Sequence, residues 1–195
     1  MPTLDLLPPH RWASKDDAEA LFDLVNYASN GIANYLFTTL ARNGEDARAV
    51  GLRMIRADTT RISYINAIVV DHGAGVVAGM IGNRLPDAPQ PIASDAHPIT
   101  VPWLELRNQV CGCWHLTTIA VYPEHRGIGL GSSLLSLLPS MRLMNSARGI
   151  CLHVADSNLG ARRLYERYGF RLMDRRPMAQ GNWKNPGREW LLYRL

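Results

Sequence analysis

The sequence predicts a mixed α/β fold, and three observations lead to this class. In the second half of the chain, buried strand patterns alternate with helix patterns. Hairpin patterns flank that region, which favours a mixed sheet over a purely parallel one. The 195 residues are 47% hydrophobic and 19% charged, a composition that suits one packed core and excludes general disorder. We therefore expect residues 1–195 to form a single domain.

The first part of the chain is expected to be mostly helical. Residues 3–7 predict a short strand that ends at the following two prolines. A helix is predicted from an N-cap at Ser14 to about residue 28, because apolar residues recur at helical spacing. A second helical region is predicted over residues 32–57, with an interruption at residues 43–44.

Strand patterns begin at Arg61. A strand to Val70, a glycine-containing turn and a second strand over residues 76–81 predict an antiparallel hairpin. Residues 84–110 are expected to form an irregular, proline-rich insertion with a short helix near residues 103–109.

The remaining elements follow from apolar periodicity and from the positions of glycine and proline. A helix is expected from Gly129 to about Ala147, with a kink or an early stop at Pro139. The other predicted elements are a strand at 111–121, a strand at 150–154, a helix at 158–168 closed by Gly169, and strands at 170–173 and 189–194.

The charge of the chain is modest and basic. The formal net charge is +4, with 21 basic and 17 acidic residues, and nearly all of the basic residues are arginines. The arginines are scattered, and no basic run carries interleaved aromatic residues, so no nucleic-acid partner is expected. A general preference for arginine explains most of them, and a few could instead contact a polyanionic cofactor.

Cysteine content and apolar runs bear on the location of the protein. Cys111, Cys113 and Cys151 are an odd and sparse set that suits reduced thiols better than disulfides. No run approaches the roughly 18 apolar residues of a membrane span, and the N-terminus lacks the pattern of a secretory signal. We therefore expect a cytoplasmic protein without a membrane partner.

The most informative segment is a glycine-rich turn between a buried strand and a leucine-rich helix. Gly127, Gly129 and Gly131 alternate there, and Arg126 precedes them. The N–H groups of such a turn can converge on an anion at the helix N-terminus, which predicts a pyrophosphate site. A dinucleotide motif would need glycine where Ser132 stands, and no Lys-Ser/Thr follows as in a Walker motif. The alternative is a turn that only permits close packing of the helix.

A second motif follows in the next helix, and the two motifs together resemble those of the GNAT superfamily of acetyl-CoA-dependent N-acetyltransferases. Arg126, Gly129 and Gly131 meet the first family signature, Arg/Gln-x-x-Gly-x-Gly/Ala. The second, Asn-x-x-Ala-x-x-Leu-Tyr-x-x-x-Gly-Phe, is met by Asn158, Ala161, Leu164, Tyr165, Gly169 and Phe170. The resemblance covers about residues 116–170, and both motifs occur in the family's order and spacing.

This resemblance implies a GNAT-like fold, with a central, mostly antiparallel sheet, flanking helices and one splayed parallel strand pair that holds acetyl-CoA. The backbone of Ile119 and Val121 would pair with the pantetheine arm, and Asn158 would hydrogen-bond it unless it serves only as a helix N-cap. The pyrophosphate would be held by Arg126 and by the backbone amides of Gly127, Ile128, Gly129, Leu130, Gly131 and Ser132.

The reaction implied is direct attack of a neutral amine on the thioester. Tyr165 would donate a proton to the leaving thiolate, as its counterparts in the family do, although it could also be a packing residue. The general base is left open between His115 and Glu105, and either could instead be structural. Cys111, Cys113 and His115 would share one face of a regular strand, but no fourth ligand is evident, so no metal is expected.

The sequence therefore predicts an N-acetyltransferase that uses acetyl-CoA as co-substrate and acetylates a primary amine, expected to belong to a small molecule. Protein N-termini and lysines are the other acceptors considered. The insertion at residues 84–110 is the expected acceptor-site lid, and a homodimer is the assembly considered. The alternative from another class is a non-catalytic acetyl-CoA sensor or interaction module.

Overall fold

The computed structural model of this chain describes residues 4–195, which divide into two compact units. The N-terminal unit contains residues 4–83 and Thr117–Ser136, and the C-terminal unit contains Arg84–Leu116 and Leu137–Leu195. Residue 3, the first of the predicted N-terminal strand, lies outside the described residues.

The described chain forms strands and α-helices joined by short 3-10 turns. The strands are β1 (His10–Trp12), β2 (Ala67–Asp71), β3 (Val76–Arg84), β4 (Trp114–Val121), β5 (Ile150–Ala155), β6 (Arg171–Pro177) and β7 (Glu189–Arg194). The helices are α1 (Ala18–Ser29), α2 (Ile32–Thr39), α3 (Ala47–Arg56), α4 (Val101–Asn108), α5 (Leu130–Leu135), α6 (Leu138–Met144) and α7 (Leu159–Tyr168).

The strands form a seven-stranded sheet in the order β1-β2-β3-β4-β5-β7-β6. β4 and β5 are parallel and pair from Trp114↔Ile150 to Leu116↔Leu152. The pairs β1–β2, β2–β3, β5–β7 and β6–β7 are antiparallel. The predicted mixed sheet, mostly antiparallel with one parallel pair, is therefore confirmed.

The N-terminal unit packs its first helices against the β1–β2–β3 meander. Ser14 caps the turn that leads into α1, and Asp17 accepts hydrogen bonds from the Ser14 backbone N–H and from Arg11. The Arg11 guanidinium holds the pKa of Asp17 below its usual value. The apolar face that follows is buried, and its core members are Ala18, Leu21, Phe22, Val25, Phe37, Val50, Ile55, Ala67, Val69 and Ile81.

In the C-terminal unit, helices cover both faces of β7. Successive residues of a strand point to opposite faces, so Trp190 and Tyr193 lie on different sides. Trp103 of α4 contacts Trp190 edge to face, with ring centroids 5.0 Å apart. On the other side, the Tyr193 hydroxyl donates to Glu166 of α7 at 2.6 Å. α4 and α7 therefore lie on opposite faces of this part of the sheet.

The N-terminal strand prediction is wrong for the described residues. Residues 4–7 form no strand, and Leu7 is 80% exposed. The strand forms beyond the prolines, where His10 and Trp12 pair with Val70 and Ile68 of β2. The short apolar run was a misleading signal because a strand also needs a partner for its backbone groups.

Two predicted strands start later than expected. Tyr64–Asn66 form a 3-10 turn capped by the Ser63 side chain, so β2 begins at Ala67. Gly112 has a φ of +75°, which places the residues before Trp114 in a turn. The expectation that Cys111, Cys113 and His115 alternate along one strand is therefore wrong.

The predicted break in the long helix is confirmed. The chain forms α5 and α6 in place of one helix, and Pro139 lies in the first turn of α6, where no intrahelical N–H bond is lost.

Backbone hydrogen bonds join the two ends of the proline-rich segment between β3 and β4. Leu85 N–H donates to the Cys113 carbonyl, and Gly112 N–H donates to the Pro86 carbonyl, both at 2.8 Å. Further out, Gln90 and Asn108 exchange two hydrogen bonds of 3.0 and 2.8 Å between backbone and side-chain amide groups. The predicted short helix is confirmed as α4, and the rest of the segment up to residue 97 is irregular.

Candidate active site

The glycine-rich turn lies in the N-terminal unit between β4 and α5. Gly127 and Gly129 have φ angles of +82° and +92°, a region that residues with a side chain rarely adopt. Both glycines are exposed, and a Cβ built on either meets no atom within 4 Å. The backbone of the turn is therefore open to close approach by a ligand.

The turn leads directly into the first amides of α5. The first hydrogen bond of this helix runs from Ser133 N to Gly129 O at 3.0 Å. The amides of Leu130, Gly131 and Ser132 precede that bond and have no partner within the helix, as at any helix N-terminus. Together with the open turn they form a set of N–H donors whose partial positive charge favours an anion.

Arg126 adds a full positive charge at the start of the turn. Its Nε donates a hydrogen bond to the Val121 carbonyl at 3.0 Å. This bond holds the guanidinium group beside the end of β4. Ile119 and Val121 are half-buried residues of the same strand end. In the N-terminal unit, the predicted pantetheine-binding residues Ile119 and Val121 therefore lie next to Arg126, where the predicted phosphate-binding turn begins.

Asn158 lies in the C-terminal unit and caps α7. Its Oδ1 accepts a hydrogen bond from the Ala161 N–H at 3.2 Å. The helix-capping alternative is therefore present in the structure. The Nδ2 of Asn158 and the second lone pair of its Oδ1 remain as the side-chain groups that could bond a cofactor.

Tyr165 is the buried tyrosine of α7. It is 7% exposed and packs edge to face on Phe170, with ring centroids 5.8 Å apart. Burial raises its pKa well above the usual value for tyrosine, so the hydroxyl is protonated at neutral pH. Tyr168, one turn later, is more exposed, and burial raises its pKa as well. Both tyrosines keep a proton and contact Phe170, but Tyr165 is the more deeply buried of the two.

His115 belongs to a pair of imidazoles in the C-terminal unit. Its Nε2 lies 2.9 Å from the Nδ1 of His153, and the ring centroids are 4.8 Å apart. Residue pairing between β4, β5 and β7 places both rings on the same sheet face as Trp190. Burial, and to a lesser extent the Arg107 charge, lower the pKa of His153 to about 3. His153 is therefore neutral at physiological pH.

Glu105 is held in an ion pair. Its carboxylate accepts a hydrogen bond from Arg176 Nε at 3.0 Å, and both side chains are partly exposed. This contact joins α4 to β6. The Glu105 carboxylate is therefore already engaged by a cation on β6.

The three cysteines are free thiols. Cys113 and Cys151 are buried, and the hydrogen bond between their thiols, followed by burial, raises the pKa of Cys151 far above the usual range. Among residues 4–195, no group of three or more His, Cys, Asp or Glu side chains could hold a metal ion.

Sequence reasoning missed His153 and the tryptophans around Trp190. Trp103 and Trp183 contact Trp190 at centroid distances of 5.0 and 6.3 Å. The period-two alternation of β5 and β7 was visible in the sequence, but the register that joins His153 to this cluster was not.

The low pKa of His153 leads to a prediction about how the stability of the protein depends on pH. Unfolded His153 has the ordinary pKa of 6.5, and the folded value is about 3, so the unfolded state binds more protons between these values. The free energy of unfolding should therefore fall as pH falls below 6.5, by up to about 1.4 kcal/mol per pH unit from this residue. Urea unfolding at several pH values should show a shallower dependence for His153→Gln than for the natural protein.

The matched control is His72→Gln, at an exposed histidine in the β2–β3 turn, which should keep the natural pH dependence. An unchanged slope in His153→Gln would show that this ring is not kept neutral by folding.

The fold is shared with acetyltransferases of known structure. An N-acetyltransferase from Staphylococcus aureus Mu50 matches at a TM-score of 0.64 and 15% identity, covering 95% of this chain and 99% of its own. A ribosomal-protein-alanine N-acetyltransferase from Brucella melitensis matches at 0.59 and 18%, covering 97% and 99%. The protein yncA from Salmonella typhimurium, solved with its cofactor acetyl-CoA, matches at 0.59 and 16%, covering 95% and 91%.

The fold of this chain is therefore that of these acetyltransferases. Residues 67–172, more than half of the chain, match the family model described as "Acetyltransferase (GNAT) domain", and the chain belongs to this family. The resemblance recognised in the two motifs is therefore confirmed. A comparison with curated protein sequences gave no match. Across the described part of the chain, no helix is both long and apolar enough to span a membrane.

Proposed function

We propose that this protein transfers the acetyl group of acetyl-CoA to the primary amine of a small molecule. The observation that carries the proposal is the open, left-handed glycine turn after β4 in a chain of the GNAT family. The pyrophosphate would be bound by Arg126 and by the amides of residues 127–132. The backbone of Ile119 and Val121 would pair with the pantetheine arm, and Asn158 would donate to it.

The chemistry requires a neutral amine and a proton for the leaving sulfur. A lysine-like amine has a pKa of about 10.4, so it must lose a proton before it attacks the thioester carbon. His115 is the proposed base, because its neighbour His153 is neutral, whereas the Glu105 carboxylate is already paired with Arg176. As the C–S bond breaks, Tyr165 would donate its proton to the thiolate.

We propose that the segment at residues 84–110 covers the acceptor site and selects the acceptor. It is mostly exposed in its irregular part and is anchored at both ends by the backbone bonds described above. The proposed location is the cytoplasm, because free thiols are typical of a reducing compartment.

The test is a screen of primary amines with acetyl-CoA, in which release of the CoA thiol is followed and the products are identified by mass spectrometry. We expect thiol release that depends on the amine and a matching acetylated product. A reaction without amine measures hydrolysis and is subtracted. Stoichiometric acetyl-CoA binding with no turnover on small amines, peptides or proteins would favour the non-catalytic sensor instead.

A further inference from the structure

Two ring nitrogens in the C-terminal unit are buried without a hydrogen-bond partner. Over residues 4–195, the buried polar side-chain atoms in this condition are Asn26 Oδ1, His153 Nε2 and Trp190 Nε1. Trp190 is 7% exposed. Buried polar groups in native proteins are nearly always paired, so two such atoms in one place indicate a missing partner.

The strand register places these two nitrogens on one surface. His153 is opposite Leu192, and Ala155 is opposite Trp190, in the antiparallel pair β5–β7. His153 and Trp190 are thus diagonal neighbours on the same face, at the roughly 7–8 Å spacing that large rings bridge. One bound group could satisfy both nitrogens.

Aromatic rings surround Trp190. Trp103, half-buried on α4, meets it edge to face, and Trp183, from the segment between β6 and β7, stacks on it with an interplanar angle of 7°. These rings come from three separate segments of one unit. They surround the Trp190 ring with apolar surface next to its unpaired nitrogen.

The chemistry of the nitrogens selects the ligand. The indole N–H of Trp190 can only donate, so its partner is a hydrogen-bond acceptor. The Nδ1 of His153 already contacts His115, and the Arg107 charge acts on His153. A positive charge at this place disfavours an ammonium group and favours an oxygen with partial or full negative charge.

We propose that His153 Nε2 and Trp190 Nε1 form a subsite for a carbonyl or carboxyl oxygen of the acceptor, with Trp103 and Trp183 as its walls. The subsite rests on the proposed function and names its substrate class, an amine that also carries such an oxygen, as amino acids and their amides do. For the neutral His153 ring to donate from Nε2, its Nδ1 must accept from the His115 Nε2–H, so the subsite adjoins the proposed base and leaves His115 Nδ1 as its basic nitrogen. The oxygen would hold the acceptor so that its amine can reach His115.

The test reads the indole N–H signals of the natural protein by 15N NMR. The chain has five tryptophans, and Trp190→Phe assigns the signal of Trp190 by its loss. The probes are phenylalanine amide and 2-phenylethylamine, which share the ring and the amine and differ in the carbonyl group. We expect the amide to move the Trp190 signal downfield at concentrations about tenfold lower than the plain amine needs, the effect of one hydrogen bond.

Trp12 provides an internal control, because its Nε1 already donates to the Leu4 carbonyl at 3.2 Å and its signal should not move. If Trp190→Phe fails to fold, the single phenylalanine variants of Trp12, Trp103, Trp114 and Trp183 assign the remaining signal to Trp190 by elimination. A Trp190 signal that no carbonyl-bearing amine shifts, among phenylalanine amide, glycine amide and free glycine, overturns the subsite. Equal shifts by the amide and the plain amine overturn it as well.

The same samples separate this inference from the proposed function. If thiol release depends on the amine but the Trp190 indole signal does not shift, the proposed acetyltransferase function stands and the proposed subsite is refuted. A selective indole response without acetyl-CoA binding, measured by calorimetry, would leave the subsite intact and remove the proposed function.

Discussion

Gly127→Ala is expected to weaken acetyl-CoA binding by about 10- to 100-fold, the effect of losing one or two hydrogen bonds to a charged group. The new methyl group meets no atom within 4 Å, so no core contact is disturbed. The cost comes from the φ of +82°, which disfavours any residue with a Cβ by about 1–2 kcal/mol and turns the amides of the turn away from the pyrophosphate. Isothermal titration calorimetry with acetyl-CoA measures the change.

Gly44→Ala is a closely matched control for this variant. Gly44 has a φ of +81°, lies in the same unit and also has nothing within 4 Å of its Cβ position. Both substitutions should therefore lower the free energy of unfolding in urea by a similar amount. Only Gly127→Ala should lose cofactor affinity, and equal affinities in the two variants would refute the phosphate-binding role of the turn.

The second large effect is expected at Tyr165. Tyr165→Phe removes the hydroxyl while the ring keeps its contact with Phe170, so the fold should be retained. If the hydroxyl protonates the departing thiolate, kcat should fall by about 100-fold, the usual scale for one positioned acid or base. The dissociation constant of acetyl-CoA should change little, because the proton is needed only as the C–S bond breaks.

Tyr168→Phe serves as the control on the same helix. Its hydroxyl is also protonated, but Tyr168 is more exposed and lies outside the family's tyrosine position. It should keep near-natural turnover. Equal kcat values for Tyr165→Phe and the natural protein would remove the assigned proton donor.

The conformation of the glycine-rich turn could be predicted because its signal is local. The alternating glycines and the N-cap at Asn158 occupy short stretches whose backbone geometry is set by neighbouring residues. The same holds for the break at Pro139 and for the end of α7 at Gly169. At these positions a few adjacent residues decide the conformation, and the predictions were confirmed.

Contacts between distant strands could not be predicted in this way. The His115–His153 pair requires the parallel alignment of β4 with β5, and the approach of His153 to Trp190 requires the register of β5 with β7. A shift of one residue in either register would send these side chains to the other face. The early start predicted for β4 failed for a related reason, since alternation alone did not reveal the turn at Gly112.

The anchoring of the proline-rich segment has a consequence for protein engineering. The backbone hydrogen bonds Leu85–Cys113 and Gly112–Pro86 hold its two ends together. The residues between them therefore form a loop whose end-to-end distance is fixed by the rest of the fold. Loops of different length and composition can be grafted there at a small entropic cost, which rises only with the logarithm of loop length. If this segment selects the acceptor, as proposed, loop libraries grafted there should change the acceptor while the affinity for acetyl-CoA stays the same.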